Sequence, residues 1–348
     1  MRIGIFDPYL DTLGGGEKYI LTIAQCLSEN NEVFIFWNNQ IDLEKGAKRF
    51  NLDLKNVNVT SNIFSSSIIN KIRVTNKFDL IIYVSDGSIP LLFAKKNILL
   101  MQFPVNWINT KKMLTRIKLT KISSIICYSQ FVKKFLVKKF SNKIYILPPS
   151  IDIPGGRFDK KENIILSVGR FTQAMNRKKQ ESMIEAFKKL ENKDWKLVLL
   201  GGVLPEDEEF VKELKKSAKG FPIEIYENVS IELLREYYAK AKIYWHATGF
   251  GEDLNVHPER AEHFGITTLE AMSYGAVPVV INAGGQKEIV RDSQDGFLFD
   301  NEMELIEKTE KLIKDESLLL QIAKKARLKA EEFSTVKFCE RLDEIFSK

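Results

Sequence analysis

The chain lacks any apolar run long enough to cross a bilayer. Stretches such as FDLIIYV and WKLVLLGG stop well short of the roughly 20 residues that a spanning helix needs. The start, MRIGIFDPY, puts Asp7 where a secretory signal would carry its apolar region, so no export signal is expected. Cysteine is scarce: Cys26, Cys127 and Cys339 are scattered, form no CxxC pair, and read as buried thiols of a reducing compartment. Together these absences point to a cytoplasmic protein. Histidine is equally scarce. His246, His257 and His263 lie near Glu252, Asp253 and Glu259, but without a metal-ligand spacing, so no metal is expected. The GxGxxG fingerprint of a dinucleotide site is missing too, and the second strand ends FIFWNN, without the acidic residue that would hold a ribose hydroxyl.

Acidic residues vanish from one long stretch. No Asp or Glu occurs between Asp86 and Asp152, while Lys and Arg recur from Lys95 to Lys143, so a formal net charge of only +6 conceals a cationic segment. Such a segment either attracts anionic surfaces and ligands or is a set of solvated helix faces. Its aromatic residues are not interleaved as a base-stacking platform requires, which argues against nucleic acid as a partner.

What is present is a soluble α/β pattern. With 348 residues, 44% hydrophobic and 28% charged, the chain can bury two cores of ordinary size. RIGIF, EVFIFW, DLIIYV, NILLM, SIICYS and KIYIL read as strands with helical stretches between several of them. After the Pro- and Gly-rich break LPPSIDIPGG at 147–156 the pattern resumes with NIILSVG, KLVLLGG, IEIYE, KIYWHA, VPVVI and GFLF. Alternating strands and helices imply two doubly wound parallel sheets, over residues 1–150 and 151–330, with ligands at the carboxyl ends of the strands.

Two segments carry candidate chemistry. Gly14, Gly15 and Gly16 precede a helix expected to start near Glu17, whose amide groups suit a phosphate. In AEHFGITTLEAMSYG, Glu262 lies in a loop and Glu270 inside the helix that Phe264, Gly265 and Ile266 open and Gly275 ends. The helix start between the two carboxylates suits a diphosphate, and the carboxylates suit sugar hydroxyls. By spacing alone, a plain surface helix, with Glu270 on its surface and Glu262 favouring its dipole, is the better account of the pair.

EHFGITTLEAMSYGAVPVV resembles the E-x7-E signature of retaining GT-B glycosyltransferases, most closely glycosyltransferase family 4. GGGE, CYSQFVKKFL with ILPPSID, SVGRF and NAGGQKEIV accompany it in the matching order along nearly the whole chain. The resemblance implies two facing Rossmann-like domains with a cleft between them: an acceptor-side domain (1–150), a nucleotide-sugar domain (151–330) and a final segment (331–348) crossing back to the first. It implies a hexosyltransferase, with mannose from GDP-mannose faintly favoured, that needs no metal or other cofactor. Glu270 would bind the ribose hydroxyls. Glu262, with Phe264, Gly265, Ile266 and Thr267, would hold the donor sugar. Arg170 and Lys178 would clamp the diphosphate, Lys179 being the neighbouring alternative, and the Gly15–Gly16 backbone would close on the same group. Where many relatives carry a histidine on the acceptor side this chain reads MQFP, so Gln102 stands there; Asp86 is a second acceptor-side candidate. Partners would be a nucleotide sugar and a glycan or lipid-linked acceptor. Two other readings stay open: a non-catalytic sugar-nucleotide-binding subunit of a membrane glycan-assembly complex, and a GT-B-like epimerase or phosphorylase.

In FVKKFLVKKF the spacing puts Phe131, Val132, Phe135 and Leu136 on one face, packed on their own sheet, and turns Lys133, Lys134, Lys138 and Lys139 largely elsewhere. A reversible, salt-sensitive contact with the inner face of an anionic membrane, without insertion, is the corresponding expectation.

Overall fold

The computed structural model describes residues 1–105, 107–156, 160–174, 176–191 and 194–347. The chain divides into two compact units, Ile151–Ser334 and Met1–Ser150, the latter joined by the residues from Thr335 onward.

The first unit is built on seven strands: β1 (Arg2–Phe6), β2 (Glu32–Phe36), β3 (Val57–Thr60), β4 (Leu80–Val84), β5 (Lys96–Met101), β6 (Ser124–Cys127) and β7 (Lys143–Ile146). They are parallel, in the order β3-β2-β1-β4-β5-β6-β7. Central strands are buried throughout, as in β4, where LIIYV has no exposed position. This is why the inner strands read as continuous apolar runs. β3, VNVT, is an edge strand whose polar alternation carries no such run, and sequence reading passes over it.

The second unit holds β8 (Glu162–Val168), β9 (Lys196–Gly201), β10 (Ile223–Glu227), β11 (Ala241–His246), β12 (Val277–Ile281) and β13 (Phe297–Phe299), parallel in the order β10-β9-β8-β11-β12-β13. In each sheet the strand order reverses once, between β1 and β4 and between β8 and β11. At such a switch point the connections leave in opposite directions and open a crevice at the carboxyl ends.

The expectation of three free thiols is corrected for two of them. Cys26, in the Gly15–Ser28 helix, and Cys339, in the Thr335–Phe346 helix, form a disulfide across 313 positions of sequence. The two helices pack together, with the Tyr19 and Phe338 rings 5.3 Å apart, and this brings the cysteine Cα atoms within 5.4 Å. No spacing rule pairs residues so distant, and the cysteine argument for a reducing compartment falls with the pairing. Cys127 is free and buried. Among the described residues no helix is long and apolar enough to cross a membrane.

Candidate active site

In the second unit the switch-point strands deliver their end residues to one place. β8 runs into Gly169 and Arg170, and β11 ends at His246. Lys179, at φ +58°, precedes the Gln180–Lys188 helix in the left-handed region. Gln180 donates to the Arg170 carbonyl at 3.0 Å, which ties this helix to the end of β8.

Nζ of Lys178 donates to Oε2 of Glu262 at 2.9 Å, and both side chains are nearly buried, 15% and 14% exposed. Nε2 of His246 approaches the same oxygen at 3.0 Å. Burial would raise the Glu262 carboxyl, but the Lys178 charge and His246 outweigh it and hold the group well below the usual carboxylate range. Burial lowers His246, so it is neutral beside this carboxylate at neutral pH. His263 is also pushed down by burial, to about 4. The structure thus joins Lys178, not Lys179, to Glu262. Nζ of Lys179 is 2.6 Å from Glu252, which Arg260 also meets at 2.8 Å. These bonds, Lys179 first, bring Glu252 down to about 2. Arg170 points outward, exposed and without an ion pair among the described residues.

Glu270 lies on the Ile266–Ser273 helix and accepts from the Tyr238 hydroxyl at 2.9 Å. Gly265 precedes that helix at φ +115°, and a Cβ there would come within 2.7 Å of the Gln286 amide, so the turn requires glycine. The first intrahelical bonds run from the Thr268 and Leu269 amides to the Gly265 carbonyl. The preceding amides of Ile266 and Thr267 therefore have no partner from the helix itself. The Thr267 hydroxyl is taken by Tyr244 at 2.8 Å. Phe264 is buried, in ring contact with Phe333. Gly284 and Gly285 of NAGGQKEIV support the loop from behind: the Gly285 amide donates to the Glu262 carbonyl at 2.8 Å, and a Cβ on Gly284 (φ +60°) would fall 2.2 Å from that oxygen.

The first unit places its candidates at the carboxyl end of its own sheet. The Gly15–Ser28 helix begins two residues before the expected start, and Glu17 folds back to cap it, accepting from the Gly14 amide and, at 2.8 Å, from the Thr12 hydroxyl. The Gly14 amide is therefore already satisfied by a carboxylate, leaving Gly15 and Gly16 as the candidate backbone contacts. Gln102, just after β5, packs on Gly16, where an added Cβ would come within 2.7 Å of Oε1. Asp86, after β4, accepts from the Ser88 amide at 3.0 Å and the Tyr9 hydroxyl at 3.4 Å. Asp7, after β1, is fully buried, accepts from the Tyr9 amide at 2.9 Å, and is raised by burial to about 7.

Among the described residues no group of three His, Cys, Asp or Glu side chains converges as metal ligands would. His246 faces Glu262 and His257 faces Glu259 at 3.1 Å. Sequence reading missed the pairing of His246 with Glu262, the Tyr238 and Tyr244 hydroxyls, and Asp7. The available signal was position, since His246 and Asp7 both sit at the carboxyl end of a switch-point strand.

The fold is that of solved glycosyltransferase structures. Anabaena HepE in complex with UDP superposes with a TM-score of 0.77 at 19% identity over 100% of both chains. Sucrose-phosphate synthase from Thermosynechococcus elongatus gives 0.75 at 14% identity, covering 100% of this chain and 98% of that one. The two parallel-sheet units are accordingly a GT-B architecture. By sequence the chain is 26% identical to an uncharacterized glycosyltransferase of Haemophilus influenzae, over 97% of this chain and 98% of that protein. It is 28% identical to a GDP-Man:Man(3)GlcNAc(2)-PP-Dol alpha-1,2-mannosyltransferase of Dictyostelium discoideum, over 58% of this chain and 41% of that one. It is 29% identical to the mouse alpha-1,3/1,6-mannosyltransferase ALG2, over 74% and 66%. The chain thus spans less than two thirds of both mannosyltransferases. Residues 151–329, which include the Lys178–Glu262 pair and the Glu270 helix, match the family described as glycosyl transferases group 1, and the chain belongs to that family.

Proposed function

We propose that the protein is a retaining glycosyltransferase that moves a hexose from a nucleotide sugar to a hydroxyl of a glycan or lipid-linked saccharide. The observation that carries this reading is the Lys178–Glu262 ion pair beside the amide start of the Ile266–Ser273 helix, with Glu270 one turn further in. Glu270 takes the ribose hydroxyls and Glu262 the donor sugar. Lys178, Arg170 and the Ile266 and Thr267 amides take the diphosphate. These cations and dipoles stabilise the charge that grows on the leaving group as the bond from the anomeric carbon to phosphate oxygen breaks. That charge is met by protein groups, and the reaction needs no metal. Gln102 cannot act as a base. The leaving phosphate oxygen instead takes the proton of the acceptor hydroxyl, whose oxygen bonds the anomeric carbon on the same face, giving retention.

Mannose is the favoured sugar because two of the sequence relatives are named as mannosyltransferases. The UDP complex of the structural neighbour keeps uridine in the comparison. Thermal shift against GDP, UDP and ADP and their sugars tests the reading. A ligand that binds the folded state alone raises its melting temperature with the logarithm of ligand excess over Kd. Stabilisation by one base family is expected; no shift with any of them overturns the proposal.

A further inference from the structure

Within the acid-free segment, the helix Met113–Thr120 (MLTRIKLT) buries none of its residues. Met113, Leu114 and Ile117 are 78%, 62% and 49% exposed. At about 100° per residue these three side chains fall within one ~100° sector of the helix, with Arg116 and Lys118 on its two margins. Leu119 faces the other way and packs against the core of the first unit. The apolar sector is therefore the outward one, the reverse of an ordinary surface helix.

The charges point the same way. Lys111 and Lys112 lead into the helix and Lys121 follows it, and its first turn has no acidic residue. Lys111 and Lys112 at the helix start oppose the helix dipole and so do not serve the helix itself, whereas Lys118 and Lys121 at its end suit it. Lys111, Lys112, Arg116, Lys118 and Lys121 enter no ion pair among the described residues. Beside the helix is a cavity of about 450 Å³ whose lining includes Arg116, Lys139, Thr110, Thr120 and Ser141, cations and hydroxyls suited to a phosphate.

From these observations we infer that the Met113–Thr120 helix is an anionic-membrane docking surface: Met113, Leu114 and Ile117 enter the interface between headgroups and acyl chains, the flanking lysines meet anionic lipid, and the Arg116–Lys139 cavity seats a headgroup phosphate. Charge complementarity selects the occupant, since an apolar sector rimmed by cations fits an anionic bilayer surface, whereas a second copy of this chain would set like charges against each other. In the Gln130–Leu136 helix Val132 and Leu136 are buried, as the spacing of residues 131–140 predicts, so the apolar part of the surface is supplied by the earlier helix. The inference stands apart from the nucleotide-sugar reading, and its test uses no nucleotide.

The test is co-sedimentation of the full chain with vesicles of phosphatidylcholine alone and of phosphatidylcholine with phosphatidylglycerol. Binding to the anionic vesicles at low salt is expected, and it should collapse near 1 M salt, where the Debye length falls to about 3 Å. Replacing Met113, Leu114 and Ile117 together by Gln should weaken it about tenfold or more, with circular dichroism and melting temperature unchanged because none of the three is buried. Arg116→Gln with Lys118→Gln should weaken it as well. Wild type that ignores anionic vesicles overturns the inference, as does full binding by the triple variant. A concentration-dependent dimer that the triple variant abolishes would reassign the face to a second copy. None of these outcomes bears on nucleotide-dependent thermal shifts, so the two proposals fail separately.

Discussion

Lys178 holds Glu262 at 2.9 Å, with each group nearly buried, so neither can be removed without stranding the other's charge. Breaking such a pair from one side costs about 3–5 kcal/mol, while neutralising both sides is far milder. Lys178→Ala is therefore expected to lose both activity and several degrees of melting temperature. Adding Glu262→Gln to it should restore the melting temperature without restoring turnover, because the diphosphate still lacks its lysine. If the double variant is active, Lys178 has no part in the chemistry.

Lys179→Ala separates register from role. Its ammonium is engaged by Glu252, which Arg260 also holds, so its loss should leave kcat within a few-fold while loosening the loop around Glu252. Arg170 has no ion-pair partner to strand among the described residues, so Arg170→Ala should keep the wild-type melting temperature and lower kcat on the order of 10²-fold. Steady-state kinetics beside melting curves for these two variants and Lys178→Ala decide it. A larger kcat loss for Lys179→Ala than for Lys178→Ala would move the clamp by one residue.

Glu270→Ala should weaken nucleotide binding and Glu262→Gln should mainly lower turnover, since one meets the ribose and the other the reacting sugar. Loss of a charged hydrogen-bonding partner costs roughly 1.5–3 kcal/mol, about tenfold to a hundredfold in affinity. Calorimetric titration with the nucleoside diphosphate, which lacks the sugar, distinguishes them: Glu262→Gln should bind it almost normally and Glu270→Ala should not. Equal affinities would dissolve the division of labour.

Gly16→Ala tests the acceptor side without an obvious stability cost. Alanine is favoured over glycine inside a helix by up to about 1 kcal/mol, yet the new Cβ must displace the Gln102 amide that lies 2.7 Å away. Gln102→Ala should therefore raise the acceptor KM and leave donor affinity unchanged, whereas Gly16→Ala, on the backbone expected to close on the diphosphate, should raise the acceptor KM and weaken the donor as well, while melting no lower than wild type. A fall in donor affinity alone would put Gln102 in the donor's path.

Much of this was legible in the sequence, for a physical reason. Parallel strands buried on both faces leave unbroken apolar runs, which made the inner strands readable; the edge strand Ile223–Glu227 was readable from its alternation, while the shorter, polar edge strand Val57–Thr60 was not. Glu262 and Glu270 stood out through the resemblance of EHFGITTLEAMSYGAVPVV to the E-x7-E signature, since spacing alone does not set them apart from a plain surface helix. Lys178, by contrast, reaches Glu262 across 84 positions, and Cys26 reaches Cys339 across 313. Such pairs are fixed by how strands and helices pack, which local periodicity does not encode. The outward apolar sector of Met113–Thr120 was hidden for a related reason: a hydrophobic face is read as inward unless the packing is known.

Asp7 gives the chain a distinctive pH signature. Its carboxyl is raised from 3.8 to about 7, chiefly by burial, with Glu17 and Asp11 adding to the rise and the Tyr9 amide opposing it. The folded protein therefore holds a proton there that the unfolded chain releases near 3.8. The stabilisation is full below that pH and is lost as pH rises through about 7. At ~1.4 kcal/mol per pH step the loss is on the order of 4 kcal/mol. His263 and His246 work against it in an overlapping window, because a histidine lowered from 6.5 (His263 to about 4) makes folding more favourable as pH rises through that range. The raw slope of melting temperature against pH thus mixes these groups, and the difference between wild type and Asp7→Asn is the proper readout, since the amide stays neutral throughout. Asp7→Asn should match wild type near pH 4, pull ahead steadily between pH 4 and 7, and keep a constant lead above that. Parallel curves across the range would mean that Asp7 is ionised in the folded protein, and its burial would then have to be offset by a cation that approaches from elsewhere.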